Sequence, residues 1–301
     1  MILCCGEALI DMLPRQTTDG MAGFAPHAGG SVFNTAIALG RLGAPVQFFS
    51  GLSSDLFGAI LQRELAASGV DSSPASVTDR PTTLAFVTLT DGHASYAFYD
   101  ENTAGRMLQA DDLPHTDADA LFFGGISLVV EPCGAAYEAL MLREAATRVT
   151  MIDPNIRPSF VTDEDAYRAR LTRMLGAAYI IKTSDEDLEW ITGTADAQAL
   201  LQTTGAQVIL LTRGSEGVTV VTPRGSFDVA AQKATVVDTV GAGDTFSAGV
   251  LADLQAQGLL TKAALPDATV AQLAQAVGFG AKVAAITVSR AGANPPWASE
   301  L

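Results

Sequence analysis

Short apolar runs with the length of buried β-strands alternate along this chain with longer runs that carry apolar residues at helical spacing. The strand-like runs are residues 2–5, 46–49, 120–123, 149–152, 179–182, 208–212 and 218–221. The helical runs are residues 31–42, 57–67, 133–146, 163–175, 185–191, 245–257 and 270–283. This alternation predicts an α/β fold with a mainly parallel sheet flanked by helices, in which ligands bind beyond the carboxyl ends of the strands.

Two segments interrupt the alternation. Residues 13–27 are polar and contain two prolines, and residues 83–90 and 94–99 read as a hairpin that turns at Asp91-Gly92. Because no linker, repeat or low-complexity tract divides the sequence, we expect a single domain over residues 1–301.

Composition and charge narrow the classes of partner. The formal net charge of −15 argues against nucleic acid and anionic membranes, since both are bound by basic surfaces. The cysteines are few and odd in number, which suits a reducing compartment. The first residues lack the basic region of a secretory signal, and no apolar stretch approaches the length of a membrane span. We therefore expect a cytoplasmic protein.

Residues 238–249, DTVGAGDTFSAG, are the most informative string for function. They follow a β-like run at 234–237 and open a helical run at 245. Gly241, Ala242 and Gly243 place small residues where a helix begins, so several backbone N–H groups can point into one concavity that favours negative charge. The carboxylate of Asp244 beside this concavity suits the binding of a cation or the transfer of a proton. The competing interpretation is a glycine turn with Asp244 as the helix cap.

A second string, residues 28–36 (AGGSVFNTA), lies near the other end of the chain. The pair Gly29-Gly30 allows a ligand to approach the backbone, and Asn34, one turn into the following helix, offers a hydrogen-bond donor and acceptors. Taken alone, a glycine pair before a helix is typical of an ordinary turn.

Together the two strings resemble the signatures of the ribokinase/PfkB family of sugar kinases. The resemblance implies a ribokinase-like three-layer fold with a small β-sheet lid, formed by segments at about 13–27 and 82–107, and a homodimer through that lid, with a monomer as the alternative. It implies ATP and Mg²⁺, with Asp244 as the general base and Gly241, Ala242 and Gly243 as the anion hole. It further implies that the partner is a small-molecule sugar substrate.

The resemblance also implies a set of sugar-binding residues. Besides Asp244 they are Asp11, Gly29, Gly30, Asn34, Phe98 and Arg157. Arg157 lies in residues 153–157, DPNIR, which resemble the Asp-Pro-Asn-x-Arg motif of bacterial fructokinases and 2-keto-3-deoxygluconate kinases. A salt bridge within this turn is the competing interpretation for Arg157.

The same resemblance implies a second set of residues, which bind the nucleotide and the ions. The ATP-binding residues are Lys182, Ser184, Thr212, Gly214, Gly217, Gly241, Gly243 and Asn294. Asp187 stands where the family often has a glutamate that contacts Mg²⁺ through water. Asp238, Val240 and Gly292 are the implied site of a monovalent cation, potassium. Ala281 departs from the family, because many relatives have an asparagine there that lines adenine.

These features favour a fructokinase that phosphorylates the 6-hydroxyl of fructose. Asp100 replaces the arginine that would meet a substrate carboxylate, so we expect it to repel sugar acids. The alternative within the family is a 2-keto-3-deoxygluconate kinase that uses Arg157 or Arg106. The alternative of another class is a non-catalytic protein that binds nucleotide or sugar on the same fold.

Overall fold

The protein is described by a computed structural model over residues 1–90 and 93–301, so the predicted turn at Asp91-Gly92 lies outside the described residues. Its strands are β1 (Ile2–Cys5), β2 (Leu9–Gln16), β3 (Ala22–Gly29), β4 (Val46–Phe49), β5 (Gly51–Ser53), β6 (Ser76–Thr78), β7 (Leu84–Thr90), β8 (His93–Tyr99), β9 (Ala120–Gly124), β10 (Val149–Asp153), β11 (Ile180–Ser184), β12 (Val208–Thr212), β13 (Val218–Thr222) and β14 (Gly225–Val229). Its helices are α1 (Ser31–Arg41), α2 (Leu56–Ala67), α3 (Cys133–Glu144), α4 (Glu164–Ala177), α5 (Asp185–Thr192), α6 (Ala197–Thr203), α7 (Ala242–Ala256) and α8 (Val270–Val288).

The central sheet has eight strands in the order β14-β13-β12-β11-β10-β9-β1-β4. The strands from β12 to β4 run parallel, whereas β13 and β14 are antiparallel to their neighbours. The carboxyl ends of the parallel strands therefore meet at one edge of the sheet, which is the edge where ligands bind in open α/β folds.

Both faces of the central sheet are buried. Along β1, Ile2 and Cys4 point into the core shared with α1, α2, α7 and α8. Leu3 and Cys5 point the other way, into the core shared with α3 to α6. Since successive side chains of a strand alternate between faces, an all-apolar strand needs helices on both sides. The predicted three-layer α/β fold is confirmed.

A smaller sheet of four strands, in the order β3-β2-β7-β8, lies apart from the central one. Both interrupting segments contribute to it, because β2 pairs with β3 antiparallel and with β7 parallel, and β7 pairs with β8 antiparallel. The expected small sheet is thus present.

Some element predictions were wrong. Residues 234–237 form no strand, because the amides of Val237 and Asp238 donate to the carbonyl of Val288 instead of to a sheet neighbour. Helix α7 begins at Ala242, three residues earlier than expected, so Asp244 lies inside its first turn. Helix α6 and strand β14 fall where no element was expected.

Helices α7 and α8 pack closely against each other. A Cβ atom at Gly249 would lie 2.7 Å from the Cα of Gly280, so the two backbones touch where both residues are glycine. Within the part of the chain that the structure describes, α8 is the one helix whose length and apolar composition would suffice to cross a membrane, so the expectation that no apolar stretch approaches that length was wrong. Its residues Ala276 and Val277 are buried in the core.

We expect Gly249→Ala to lower the free energy of unfolding by about 1–3 kcal/mol, because the added methyl group has no room against the α8 backbone. Gly278→Ala is the matched control on α8, since a Cβ there would meet no atom within 4 Å. That control should be neutral or stabilise the protein by up to about 1 kcal/mol, as alanine favours a helix. Urea unfolding followed by circular dichroism measures both; equal midpoints for the two variants would contradict the close-packing argument.

Candidate active site

A cavity of about 350 Å³ opens at the carboxyl edge of the central sheet, where the small sheet faces it. Many of the predicted site residues line this cavity: Asp11, Gly30, Asn34, Phe98, Arg157, Lys182, Val240, Gly241, Ala242, Gly243 and Asp244. The structure therefore brings together segments from both ends of the chain.

Asp244 is the central carboxylate of the cavity. It lies in the first turn of α7, and only 8% of its surface is exposed. Its Oδ1 accepts a hydrogen bond from Ser31 Oγ at 2.8 Å, and its Oδ2 accepts one from Asn34 Nδ2 at 2.9 Å. Burial raises the pKa of Asp244, while these two bonds and the charges of Lys182 and Arg157 oppose the rise. A buried carboxylate of raised pKa suits a proton acceptor.

The predicted anion hole is formed by the start of α7. Gly241 has φ 77°, and a Cβ there would collide with Ala293 at 2.6 Å, so glycine is required. The helix's first i→i−4 bond runs from the Thr245 amide to the Gly241 carbonyl, so the amides of Gly243 and Asp244 precede the hydrogen-bonded ladder. These amides and the helix dipole favour a negative charge at this point.

Lys182 adds a positive charge beneath the anion hole. Its Nζ lies 2.8 Å from Asp153 Oδ2 and 3.0 Å from where a Cβ on Gly243 would lie. Burial raises the pKa of Asp153 to about 6 despite this ammonium, and Asp153 Oδ1 has no hydrogen-bond partner among the described residues. Burial alone would lower the pKa of Lys182, but Asp153 outweighs it and raises that pKa, so the lysine stays protonated.

Asp11 faces Asp244 from strand β2. Its carboxylate packs over Gly29, where a Cβ would lie 2.3 Å from Asp11 Oδ2, so a larger residue would displace the carboxylate. Burial and the neighbouring charge of Asp244 raise the pKa of Asp11 to about 6. Gly29 thus acts beneath Asp11 and does not itself line the cavity.

Phe98 and Arg157 lie at the mouth of the cavity. The Phe98 ring packs edge-on against Phe160, with ring centroids 4.7 Å apart. Arg157 is exposed, and the ion pairs found in residues 1–90 and 93–301 do not include it. The alternative of a salt bridge within the turn is therefore not what the structure has.

The remaining predicted residues lie outside this cavity: Ser184, Asp187, Thr212, Gly214, Gly217, Asp238, Gly292 and Asn294. Ser184 caps α5 through the amide of Asp187, and Asp187 Oδ1 accepts the amide of Ile156 at 3.1 Å. Gly214 and Gly217 form the tight connection between β12 and β13, close to Thr212 at the end of β12.

Asp238 joins the loop that precedes α7 to the loop that follows α8. Its Oδ1 accepts the amide of Val240 at 3.0 Å, and its Oδ2 accepts the amide of Gly292 at 2.9 Å. Asn294 Oδ1 accepts a hydrogen bond from Arg41 Nη1 at 2.8 Å, and the contact of Asn294 with the nucleotide stays a prediction.

Asp100 also corrects an expectation. Its Oδ1 accepts hydrogen bonds from Thr83 at 2.8 Å and Thr103 at 3.1 Å, and its Oδ2 lies 3.9 Å from Arg106. Neither Asp100 nor Arg106 lines the cavity that holds Asp244. The carboxylate is turned toward its own loop, so it does not face a substrate in that cavity.

Sequence reasoning missed Glu7 and Ser31, which both line the cavity. Glu7 Oε1 accepts the Ser31 amide at 2.9 Å, and its Oε2 accepts the Ser127 amide at 3.3 Å. Burial raises the pKa of Glu7. Its position two residues after β1 was the available signal, because ligands bind beyond the carboxyl ends of the strands in open α/β sheets.

Comparisons of the sequence and of the structure with known proteins agree with one another. A sequence model of the pfkB family carbohydrate kinases matches residues 1–300. A fructokinase of Rhizobium leguminosarum bv. trifolii is 55% identical over 267 residues, which are 87% of this chain and 82% of the relative. The crystal structure of fructokinase with bound ATP from Xylella fastidiosa has a TM-score of 0.89 at 33% identity, covering 97% of this chain and 93% of that one. Fructokinase from Vibrio cholerae O395, in a form with fructose, ADP and calcium ion bound, has a TM-score of 0.84 at 26% identity, covering 97% and 94%.

We expect Asp11→Asn to raise the free energy of unfolding by about 2–3 kcal/mol at pH 7.5. The pKa of Asp11 in the folded protein, about 6, exceeds that of an unfolded aspartate, about 4, so ionisation of Asp11 destabilises the fold increasingly between pH 4 and 6 and by a constant amount above pH 6. The gain should shrink as the pH falls from about 6 to 4, reaching about half its size at pH 5.

Urea unfolding at pH 7.5 and 5.0 measures this difference. Asp79→Asn, which changes an exposed aspartate, serves as the control and should alter neither value. A less stable Asp11→Asn variant at pH 7.5 would contradict the assigned burial and repulsion.

Proposed function

The chain belongs to the pfkB family of carbohydrate kinases, and from this membership we propose that it transfers the γ-phosphoryl group of ATP to the 6-hydroxyl of fructose. The resemblance drawn from its two signature strings is confirmed, as are the ribokinase-like fold and the assignment to the sugar kinases. The expectation of a fructokinase is borne out by the relatives' names, the first of them at 55% identity.

One observation carries the proposal for the site: Asp244 lies between an anion hole and a group of polar side chains within a single cavity. On one side are the amides at the start of α7 and the ammonium of Lys182. On the other are Asp11 and Asn34. A carboxylate between a phosphate site and a hydroxyl site can act as a general base for phosphoryl transfer.

The reaction then follows from these positions. The 6-hydroxyl of the sugar gives its proton to Asp244 as its oxygen attacks the γ-phosphorus in line, and the bond from that phosphorus to the β–γ bridging oxygen breaks. The amides of Gly243 and Asp244 and the charge of Lys182 stabilise the negative charge on the transferred group. Asp11 accepts hydrogen bonds from other sugar hydroxyls, and Phe98 covers the ring.

We propose that Mg²⁺ is held mainly by the phosphates of ATP. No group of three His, Cys, Asp or Glu side chains in the described ranges 1–90 and 93–301 is arranged to hold a metal ion. Asp187, with one oxygen on the Ile156 amide, would contact the ion through water. The ion supplies charge neutralisation of the phosphates. Asp238, Val240 and Gly292 remain our proposed site for potassium.

We also propose how the small sheet is used. With residues 1–301 as a single kinase domain, this sheet would close over the sugar and form the contact of a homodimer. Phe24, Phe86 and Tyr99 support the second role, since their rings pack in series and Phe24 and Tyr99 are 48% and 64% exposed. Exposed aromatic clusters of this kind mark protein interfaces. Cytoplasmic location stays a prediction from the sequence.

The runner-up substrate is 2-keto-3-deoxygluconate. Arg157 favours it, because this exposed guanidinium, which forms no ion pair within residues 1–90 and 93–301, could bind a carboxylate as readily as a phosphate. The corrected position of Asp100 removes the charge argument against sugar acids, so the preference for fructose rests on the relatives.

We expect Asp244→Asn to lower kcat at least about a hundredfold while the KM for ATP changes little, because only proton transfer is removed. Asp253→Asn is the matched control, since Asp253 lies on the same helix and contacts Gln257 and Gln275. Steady-state kinetics with fructose and ATP measure both. Retained turnover in Asp244→Asn would remove Asp244 from the base role.

The substrate is tested with ADP release from ATP over a panel that contains fructose, 2-keto-3-deoxygluconate and a riboside. We expect the highest kcat/KM with fructose. A preference for the sugar acid would replace the fructokinase assignment while leaving the kinase assignment intact. ATP binding without sugar-dependent ADP release would identify the non-catalytic alternative.

A further inference from the structure

Both oxygens of the Asp244 carboxylate are held by side chains from one turn of one helix. Ser31 Oγ donates to Oδ1 at 2.8 Å, and Asn34 Nδ2 donates to Oδ2 at 2.9 Å. Residues three apart on a helix lie on the same face, so α1 presents the two donors side by side. The sequence assigned Asn34 to the sugar and assigned nothing to Ser31.

We propose that Ser31 is a positioning residue for Asp244, whose hydroxyl orients the carboxylate and holds it in the ionised form in which it accepts the substrate proton. The proposal rests on the base role proposed for Asp244. A single donor would leave the carboxylate free to rotate about its terminal bond, whereas two donors, one on each oxygen, fix its plane. Lone pairs on both oxygens remain for a substrate hydroxyl.

Glu7 in turn holds Ser31 in place. Glu7 Oε1 accepts the Ser31 amide, and two glycines leave space for Glu7, one beside its carboxylate and one beside its backbone. Gly30 has φ 108° and Gly125 has φ 70°; a Cβ at Gly125 would lie 2.1 Å from Glu7 Oε1, and one at Gly30 would lie 2.9 Å from the Glu7 carbonyl. The backbone of Ser31 therefore cannot shift without disturbing a packed, buried contact.

Several charged groups from other elements also act on Asp244. Asp11 on β2 and Asp153 on β10 repel its charge, whereas Lys182 on β11 and Arg157 after β10 attract it. The hydrogen bonds of Ser31 and Asn34 both lower the pKa of Asp244 against the effect of burial. Removing one hydroxyl from Oδ1 leaves all these charges in place, so its effect can be isolated.

The decisive measurement is the pH titration of the Asp244 carboxyl carbon by NMR. The ligand-free full-length protein is labelled with ¹³C at aspartate side-chain carboxyls, and the Asp244 resonance is identified by its loss in Asp244→Asn. Ser31→Ala should move the titration midpoint upward by about one pH unit, since a hydrogen bond to a charged group is lost. Ser31→Thr, which keeps the hydroxyl, should restore the wild-type midpoint.

Ser247→Ala is the matched control. Ser247 is buried on α7, one turn after Asp244, and its hydroxyl has no hydrogen-bond partner among residues 1–90 and 93–301. The titration midpoint of Asp244 in Ser247→Ala should equal that in the wild type. An unchanged midpoint in Ser31→Ala, or an equal shift in Ser247→Ala, overturns the proposal.

A kinetic arm separates this proposal from the base role itself. In Ser31→Ala, the acidic limb of the pH profile of kcat should move upward together with the NMR midpoint. If the midpoint moves and the acidic limb does not, Ser31 still positions Asp244 and the base role falls. The NMR result decides the proposal even if the wild-type enzyme turns over none of the sugars in the panel.

Discussion

The contact between the first turns of α1 and α7 is the interaction on which the site depends. Ser31 and Asn34 from one helix meet the Asp244 carboxylate of the other, although more than 200 residues separate them along the chain. Both helix N-termini therefore point at the same place, where one can support a sugar hydroxyl and the other a phosphate. The contact joins the proposed halves of the reaction through a single side chain.

Several buried acids surround this contact in a chain whose net charge is already −15. Burial raises the pKa of Glu7, Asp11, Asp153 and Asp244, and repulsion between neighbouring carboxylates adds to the effect for Asp11. The protein offsets this cost with two helix N-termini, a buried lysine and hydrogen bonds to the carboxylates. The site is therefore a place where stability is given up for function.

Glycines determine how closely the parts of the site approach. Gly29 leaves room for the Asp11 carboxylate, and Gly241 turns the chain at the anion hole against Ala293. Farther from the chemistry, Gly249 and Gly280 let α7 and α8 touch, which anchors the helix that carries Asp244. In each case the reason is close contact with a backbone or a carboxylate, where a Cβ atom has no space.

The sequence by itself determined the layered α/β fold and the two signature strings, because apolar periodicity and glycine-rich helix starts are local properties. The strings contain Asn34 and Asp244, and the family resemblance that they support added Asp11 and Lys182. These four residues do share one cavity. Reading the sequence missed α6 and β14, because a short helix and an edge strand have weak apolar patterns.

Only the tertiary structure decided which partners these side chains have. The direction of Asp100 depends on how its loop folds back onto Thr83, and the role of Ser31 depends on a helix that begins far along the chain. Glu7 meets the Ser127 amide, and Asp153 meets Lys182, because neighbouring parallel strands place their carboxyl ends together. Such contacts are set by the order of strands and the packing of helices, and no local pattern of residues encodes them.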